Sequence, residues 1–466
     1  MRRSQQPSSQ KASRSPEARG LALRILAAAG AQGARVEDLL AATLRQYPSL
    51  PRTERHFLLE LVQGVKMWEI QLDYFLAQVS HLPLRKLHPL VLVILRLTAY
   101  QLFHLDRVPV WAAVAEAGRL AKARRLPQAH VGYINALLRR LTTAPPPQLP
   151  ALKDDAVQSL SLATAHPAWL VDRWLRRYGL ASTQAKLNAD NRLPPLTIRV
   201  NTLKTEVTAL QARLAREGVT SEPCRYSPVG LHLTSLATSP PLLPSYQEGL
   251  WLFQDEASQL VGGLLPLTPG SRLLEIGAGR GGKTSHLAAR MGNRGICLAL
   301  DYHRGRVQEL CANLSRLGVT SVTALLADAT QSIPLKPASF DAILIDAPCS
   351  ALGVVRRHPE IKTRLKETDL ATFPPRQRAM LDQAGPLLRP GGWLLYATCT
   401  TEPAENEDLI LAFLKTQPGF RLAPAADFLP PAAAELAPQG DFFFTSPESH
   451  DLDGFFGALM VKETEG

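Results

Sequence analysis

Between residues 271 and 400 the sequence holds five short apolar runs, 273–276, 296–300, 322–326, 343–345 and 393–396, each separated from the next by a helix-length stretch. Runs this short, apolar throughout rather than alternating, are what strands buried on both faces look like. Such strands alternating with helices imply a doubly wound, mainly parallel α/β sheet. Ligands of these sheets sit at the carboxyl ends of the strands, so chemistry is expected in the residues just after each run.

The first run is followed by Gly277-Ala278-Gly279-Arg280-Gly281-Gly282-Lys283-Thr284. Glycines let a turn tighten and let the backbone approach a ligand before the next helix begins. Taken alone, the segment fits a dinucleotide-type GxGxxG through Gly277, Gly279 and Gly282. The spacing from Gly277 to Gly282-Lys283-Thr284 also satisfies a phosphate loop, so spacing does not separate the two. Asp301 ends the second run, where a carboxylate can accept from both hydroxyls of an adenosine ribose, as nicotinamide and S-adenosylmethionine sites require. Asp328 follows the third run, placed to meet an adenine edge. Either aspartate alone would serve equally as a helix cap or turn residue. Three cleft features at successive strand ends favour a nucleotide-like cofactor.

The fourth run leads into Asp346-Ala347-Pro348-Cys349-Ser350 and the fifth into Ala397-Thr398-Cys399-Thr400. Two thiols therefore fall at the ends of strands expected to be neighbours, and a nucleophile is the better reading there. The other cysteines, Cys224, Cys297 and Cys311, read as small buried hydrophobes. An odd number with no CxxC pair argues against a disulfide framework and against a zinc site. A thiolate added to carbon-6 of a cytosine makes carbon-5, otherwise a poor nucleophile, enamine-like and able to attack a methyl sulfonium. A free thiol is only a few per cent ionised near neutrality, so such a site must favour the thiolate. An acid beside the ring donates to N3 as charge develops there, and Asp346 is the candidate.

The first 141 residues follow a different grammar. Ser15-Pro16-Glu17 is a helix start, and Ala18, Leu21, Ala22, Ile25 and Leu26 follow at helical spacing. Comparable stretches occur at 57–65, 90–102, 112–120 and 133–141, so residues 15–141 read as an all-α bundle, preceded by a disordered arm over 1–14. The proline-rich segment 142–150 opens a linker taken as 142–165. Residues 166–250 read as a small α+β subdomain, with a helix at 169–178 and a strand at 196–200, and 251–463 as the α/β domain. Of a net charge of +11, residues 1–150 hold 21 Lys/Arg against 9 Asp/Glu, and the remainder is close to neutral. A basic module on a neutral one suits docking to a polyanion. Residues 90–102 are too short to span a bilayer and are interrupted by Arg96, and Met1-Arg2-Arg3-Ser4 is not followed by an apolar run. A cytoplasmic protein with no membrane partner is expected.

FDAILIDAPCS at 340–350, His358-Pro359-Glu360-Ile361-Lys362 and YATCTTEPAENE at 396–407 resemble the signatures of the Sun/Fmu family of RNA 5-methylcytosine methyltransferases. PLTIRVNT at 195–202, QDEAS at 254–258, Gln377 and Asp453-Gly454-Phe455-Phe456 fit the same pattern. Through Asn135-Ala136-Leu137-Leu138-Arg139 and Leu95-Arg96-Leu97, the front half is similar to the NusB-like RNA-binding domain of the bacterial small-subunit ribosomal RNA methyltransferase B branch. The resemblance implies a NusB-like bundle, a small α+β subdomain and a Rossmann-like class I methyltransferase domain. It implies S-adenosylmethionine held by Gly277, Ala278, Gly279, Arg280, Gly281, Gly282, Lys283, Asp301, Asp328 and Asp346. Cys399 would be the nucleophile, Cys349 would assist product release and Asp346 would contact the cytosine, with Lys283 and Arg306 near cofactor or RNA. The partner would be small-subunit ribosomal RNA, the protein a monomer, and no metal would take part. The family's first loop usually reads Asp-x-Cys-Ala-Ala-Pro-Gly-Gly-Lys, whereas here Arg280 stands in place of the proline, and Thr363 stands where tryptophan is frequent. Three alternatives stay open. One is a DNA-type cytosine methyltransferase, in which the Pro-Cys thiol of Cys349 attacks. The others are action on another RNA and a non-catalytic ribosome-assembly factor.

Overall fold

The computed structural model describes residues 17–32, 34–145, 147–236 and 239–464; the arm over 1–14 and the Ser15-Pro16 start lie outside the described residues. The chain forms two compact units, one reaching to Arg173 and including His358–Thr363, the other holding Trp174–Arg357 and the chain from Arg364 onward.

In the first unit, helices α1 Ala18–Gln32, α2 Val36–Gln46, α3 Arg52–Val79, α4 Pro89–His104, α5 Val110–Ala123 and α6 Gln128–Thr143 enclose one aliphatic core that includes Leu23, Leu58, Leu61, Ile94, Leu95, Leu137 and Leu138. Arg96, the charge interrupting the most apolar helix, is explained by its partners on α3. Its guanidinium donates to both Asp73 oxygens, at 2.7 and 2.6 Å, and pairs with Glu69 at 2.7 Å, a fork geometry that suits two carboxylates. The stretch 142–165 is not all linker. α6 runs into it, and α7 forms over Ala156–Thr164, where the Asp155 side chain accepts from Gln158 N–H at 2.9 Å as an N-cap. Gln71 of α3 donates to Leu162 O at 3.0 Å, and Leu160 and Leu162 are buried. The HPEIK segment belongs to this unit. The Lys362 ammonium is buried and donates to Met67 O at 3.2 Å and Thr164 O at 3.4 Å.

α8 Ala168–Ala189 is broken at Gly179, where φ is +72°. In the second unit, strands β1 Thr197–Val200, β2 Val219–Pro223, β3 Gly230–Leu236 and β4 Trp251–Phe253 form an antiparallel sheet in the order β2-β3-β1-β4. α9 Val207–Arg216 and α10 Pro244–Gln247 accompany it. Ile198, Val200, Leu210, Leu214, Leu231 and Trp251 make its core. α11 Glu256–Gly263 leads to the large sheet of β5 Arg272–Ile276, β6 Ile296–Asp301, β7 Val322–Leu326, β8 Phe340–Asp346, β9 Leu388–Thr398, β10 Phe420–Ala423, β11 Phe442–Phe444 and β12 Phe456–Lys462. Its order is β10-β12-β9-β8-β5-β6-β7, with β11 on β12. The five strands anticipated from the apolar runs pair in parallel; β10, β11 and β12 add antiparallel pairings.

α12 Gly282–Arg290 joins β5 to β6 and α13 Arg304–Leu317 joins β6 to β7. The short α14 Ile361–Arg364 and α15 Phe373–Ala384 lie between β8 and β9, and α16 Glu407–Thr416 follows β9. The expected helix between β7 and β8 is absent: residues 327–339 are turn and coil. Pro334 and Pro337 stand in that stretch, and proline disfavours helix for itself and its predecessor. β7 is also an edge strand, partly or fully exposed at each position, not one buried on both faces. No helix among the described residues is long and apolar enough to cross a membrane.

Candidate active site

The loop after β5 is built on left-handed backbone at Gly277, Gly279 and Gly281, with φ of +85°, +57° and +86°, where a β-carbon is strained. The N–H groups of Gly277 and Ala278 both donate to Leu300 O at 2.9 Å, drawing the loop onto the end of β6. A β-carbon on Gly277 would lie 2.2 Å from the Asp346 carbonyl oxygen, so glycine there is what lets the ends of β5 and β8 meet. Arg280 reaches α13: its Nε donates to Glu309 at 2.6 Å and its carbonyl accepts from Asn313 Nδ2 at 3.0 Å. The arginine that replaces the family's proline thus ties the loop to the helix after Asp301.

Asp301 is buried at the end of β6. Its carboxylate accepts from Gly279 N–H at 2.9 Å and His303 N–H at 2.8 Å, and Arg306 stands 3.9 Å away. Asp328 is exposed beyond the end of β7. It accepts from the Thr330 hydroxyl at 2.7 Å and N–H at 2.9 Å, bonds that hold its carboxyl below the usual range. Asp301 therefore organises the glycine loop, whereas Asp328 caps its own turn.

Asp346 ends β8, and its Oδ2 accepts from the Lys283 ammonium at 2.8 Å, which also lies 5.1 Å from the centre of the Phe455 ring. Burial works against the Lys283 charge, but Asp346, Cys399 and Glu275 together raise its pKa above the ordinary value. Cys349 and Cys399 follow the paired ends of β8 and β9, and their sulfurs lie 3.4 Å apart. Ala347 N–H donates to Ala397 O at 2.9 Å and Gly353 N–H to Cys399 O at 3.0 Å. The Ser350 and Thr400 hydroxyls meet at 2.6 Å. Contact with Cys399, then burial, then the charges of Cys399 and Glu405 push the Cys349 thiol well up. Cys349 is thus held as a thiol, facing a sulfur that has a lysine cation in its field.

Several site residues were quoted in motifs without a role. Glu405 is buried and accepts from Ser350 N–H at 3.0 Å, the Ser350 hydroxyl at 2.5 Å and Gln377 Nε2 at 2.9 Å. Asn406 accepts from the Thr398 hydroxyl at 2.6 Å and donates to Thr400 O at 3.0 Å. Arg199, fully buried on β1, donates to Gly282 O at 2.6 Å, Ser285 Oγ at 2.8 Å and Gln254 Oε1. Burial presses its guanidinium down to about 9. A buried-strand arginine and a polar run after a cysteine were the available signals. Two of the three other cysteines depart from the small-hydrophobe reading. Cys297 is buried, but Cys224 is half-buried and Cys311 exposed on α13.

The structure brings together the glycine loop, Lys283, Asp346, Cys349 and Cys399 at adjoining strand ends, with Asp301 one strand further and Asp328 two. Residues 263–461 match the family model of 16S rRNA methyltransferase RsmB/F, residues 16–143 the NusB family, and residues 166–238 the ferredoxin-like domain of RsmF/B-like methyltransferases. The chain is 34% identical over 446 residues to the probable ribosomal RNA small subunit methyltransferase B of Synechocystis sp., covering 96% of this chain and 99% of that one. It is 35% identical over 444 residues to the ribosomal RNA small subunit methyltransferase B of Pseudomonas putida, covering 95% and 97%. Among solved structures, the crystal structure of PH0851 is similar with a TM-score of 0.84 at 25% identity, covering 96% of this chain and 99% of that one. The chain belongs to the RsmB/F family of 16S rRNA methyltransferases.

Proposed function

We propose that this chain transfers a methyl group from S-adenosylmethionine to carbon-5 of a cytosine in small-subunit ribosomal RNA, through a transient bond between Cys399 and carbon-6. The observation that carries the reading is the pair of sulfurs 3.4 Å apart beside the Lys283–Asp346 ion pair.

The cleft residues fit the cofactor. Left-handed Gly277 and Gly281 let the loop close onto Asp346 and Leu310, and Gly279 between them leaves backbone open to a ligand. Asp301 presents an anchored carboxylate to a ribose, and Glu275 beneath the loop has two oxygens without a hydrogen-bond partner. Gly277–Lys283, Asp301, Asp328 and Asp346 would hold the group, which supplies an electrophilic methyl when bound.

Cys399 sulfur adds to carbon-6, and the negative charge develops at N3. Asp346 passes the ring a proton there, and the Lys283 ammonium, bonded to Asp346, is the adjacent proton source. Carbon-5 is then methylated. For release, the carbon-5 proton must leave and the sulfur–carbon bond must break. Cys349, held as a thiol against Cys399, is placed for both: its proton passes to the departing Cys399 sulfur and the carbon-5 proton replaces it. The target base must be unpaired or flipped out of its stack.

The relatives' names support ribosomal RNA as the substrate, as does the basic front half. We assign RNA docking to the helical domain over 15–141 and the subdomain over 166–250, with shape and phosphates read there. The test is adduct trapping on undermodified small-subunit RNA. Cys349→Ala is expected to accumulate a denaturation-resistant protein–RNA adduct and Cys399→Ala to give none. The reverse pattern makes Cys349 the attacking thiol, and no methyl transfer by the unaltered chain removes the enzyme reading.

A further inference from the structure

Outside the cleft, three atoms able to ligate a metal converge beside the small sheet. They are Cys224 Sγ just after β2, His232 Nε2 on β3 and a carboxylate oxygen of Glu256 at the start of α11, all within 4.8 Å of one another. Each is held from behind. Glu256 Oε1 accepts from the N–H groups of Tyr226 and Ser227, at 2.5 and 2.7 Å, which turns Oε2 toward His232 Nε2 at 3.5 Å. The other ring nitrogen of His232 lies 3.1 Å from the Thr197 hydroxyl. Gly230 lies against the sulfur, where a β-carbon would come within 2.6 Å of it.

This is the arrangement of a metal centre with its outer shell in place: the far atoms of Glu256 and His232 are bonded to protein and their near atoms face each other. With Nδ1 bonded to the Thr197 hydroxyl, Nε2 is the ring nitrogen left to face the Glu256 carboxylate and the sulfur. A cation set among the three atoms would bond all of them at once. Cys224 and His232 are only half-buried, whereas Glu256 is buried, so one side stays open to water.

We propose that Cys224, His232 and Glu256 bind one thiophilic divalent cation of the zinc class, with water completing a tetrahedral set. The thiolate and the carboxylate neutralise the dication and the imidazole enters uncharged. On binding, the S–H bond of Cys224 breaks, a sulfur–metal bond forms, and the proton leaves to solvent. The metal would tie the β2–β3 hairpin to the start of α11. The adjoining Gln254 and Asp255 bond Arg199 and Arg357, and Arg199 in turn holds Gly282 at the cofactor loop. The role is structural, supporting the loop from outside the reaction.

The test uses full-length reduced protein, stripped with a chelator, equilibrated with zinc chloride and freed of excess by gel filtration. About one zinc per chain is expected by mass spectrometry of the metal, with a higher melting temperature than the stripped protein. The Cys349→Ser/Cys399→Ser double variant should retain that zinc, because the catalytic thiols are not its ligands. Cys224→Ser should lose it, along with the thiolate-to-metal absorption of the cobalt-substituted protein. His232→Gln should do the same if Cys224→Ser fails to fold. A chain that retains no zinc overturns the proposal and leaves His232 and Glu256 as a polar pair without a metal. Zinc that survives Cys224→Ser and His232→Gln, or that vanishes with the catalytic pair, overturns it too.

Discussion

Glu275 lies on β5 under the glycine loop with 0% of its surface exposed. Neither of its oxygens meets a partner in good hydrogen-bond geometry among the described residues, although the Thr284 hydroxyl lies close enough to favour the carboxylate. Burial, reinforced by Asp346 and opposed by Thr284, Lys283 and Arg199, pushes its carboxyl from the usual 4.5 up to about 8. The folded pKa is raised, so the unfolded chain gives up this proton first. Below about pH 4.5 both states keep it and the residue carries no titration cost. From there to about pH 8 each pH unit favours unfolding by about 1.4 kcal/mol, and above that the cost is level. The penalty is therefore about 3 kcal/mol at pH 7. Glu275→Gln keeps the side-chain shape and removes the titration. Its advantage over the parent should grow by about 4 kcal/mol between pH 5 and pH 8. Urea unfolding of cofactor-free protein at intervals across that range measures it. Any new contact of the amide adds an offset that does not vary with pH, so the slope is the test. A difference that stays flat would mean that Glu275 is already ionised in the folded chain, paired with Lys283 or Arg199.

Gly277→Ala places a β-carbon 2.2 Å from the Asp346 carbonyl at a φ of +85°; a loss of about 3 kcal/mol or more is expected in thermal or urea unfolding, and an unaltered midpoint would mean the strand ends have room to part. Lys283→Gln removes the cation beside Cys399 and Asp346, and in a Cys349→Ala background the rate of adduct formation should fall by about 100-fold or more. Equal rates would free Lys283 from the chemistry. Glu405→Gln offers an amide where a carboxylate accepts from three donors, so kcat should fall about tenfold with cofactor affinity unchanged, at a stability cost of about 1–3 kcal/mol. If calorimetric affinity for the cofactor drops in step with kcat, Glu405 supports the whole cleft and not the thiol loops alone.

The parallel core of the large sheet was legible because β5, β6, β8 and β9 are apolar runs with nothing in their composition to compete. β7 was legible as a strand but not as an exposed edge, since exposure depends on what lies beside it. The missing helix between β7 and β8 was signalled by Pro334 and Pro337, which outweigh the length of the segment. β12 was visible only as the motif before it: it lies between β9 and β10 and is buried at nearly every position, so it shows no alternation. α2 and α7 are 11 and 9 residues long, too short for their periodicity to stand out. In the site, each cysteine ends an apolar run and could be placed from the chain alone. The partners could not. Lys283 and Asp346 meet across 63 residues and Arg199 reaches Gly282 across 83, distances that only the crossovers of the sheet close.

Strand ends alone do not distinguish the two thiols. β8 and β9 are parallel neighbours, and each delivers a cysteine to the same place. The difference comes from what the adjoining elements bring. Glu405, reached from the loop after β9, adds a negative charge that disfavours the thiolate of Cys349. Lys283, in the first turn of α12, bonds Asp346 at 2.8 Å and has Cys399 among the groups that support its charge. Cys349 is thus kept as a thiol 3.4 Å from the Cys399 sulfur, a separation across which a proton passes directly. Release needs a proton donor at the departing sulfur, and the fold supplies one by setting the Glu405 anion against Cys349 and the Lys283 cation near Cys399.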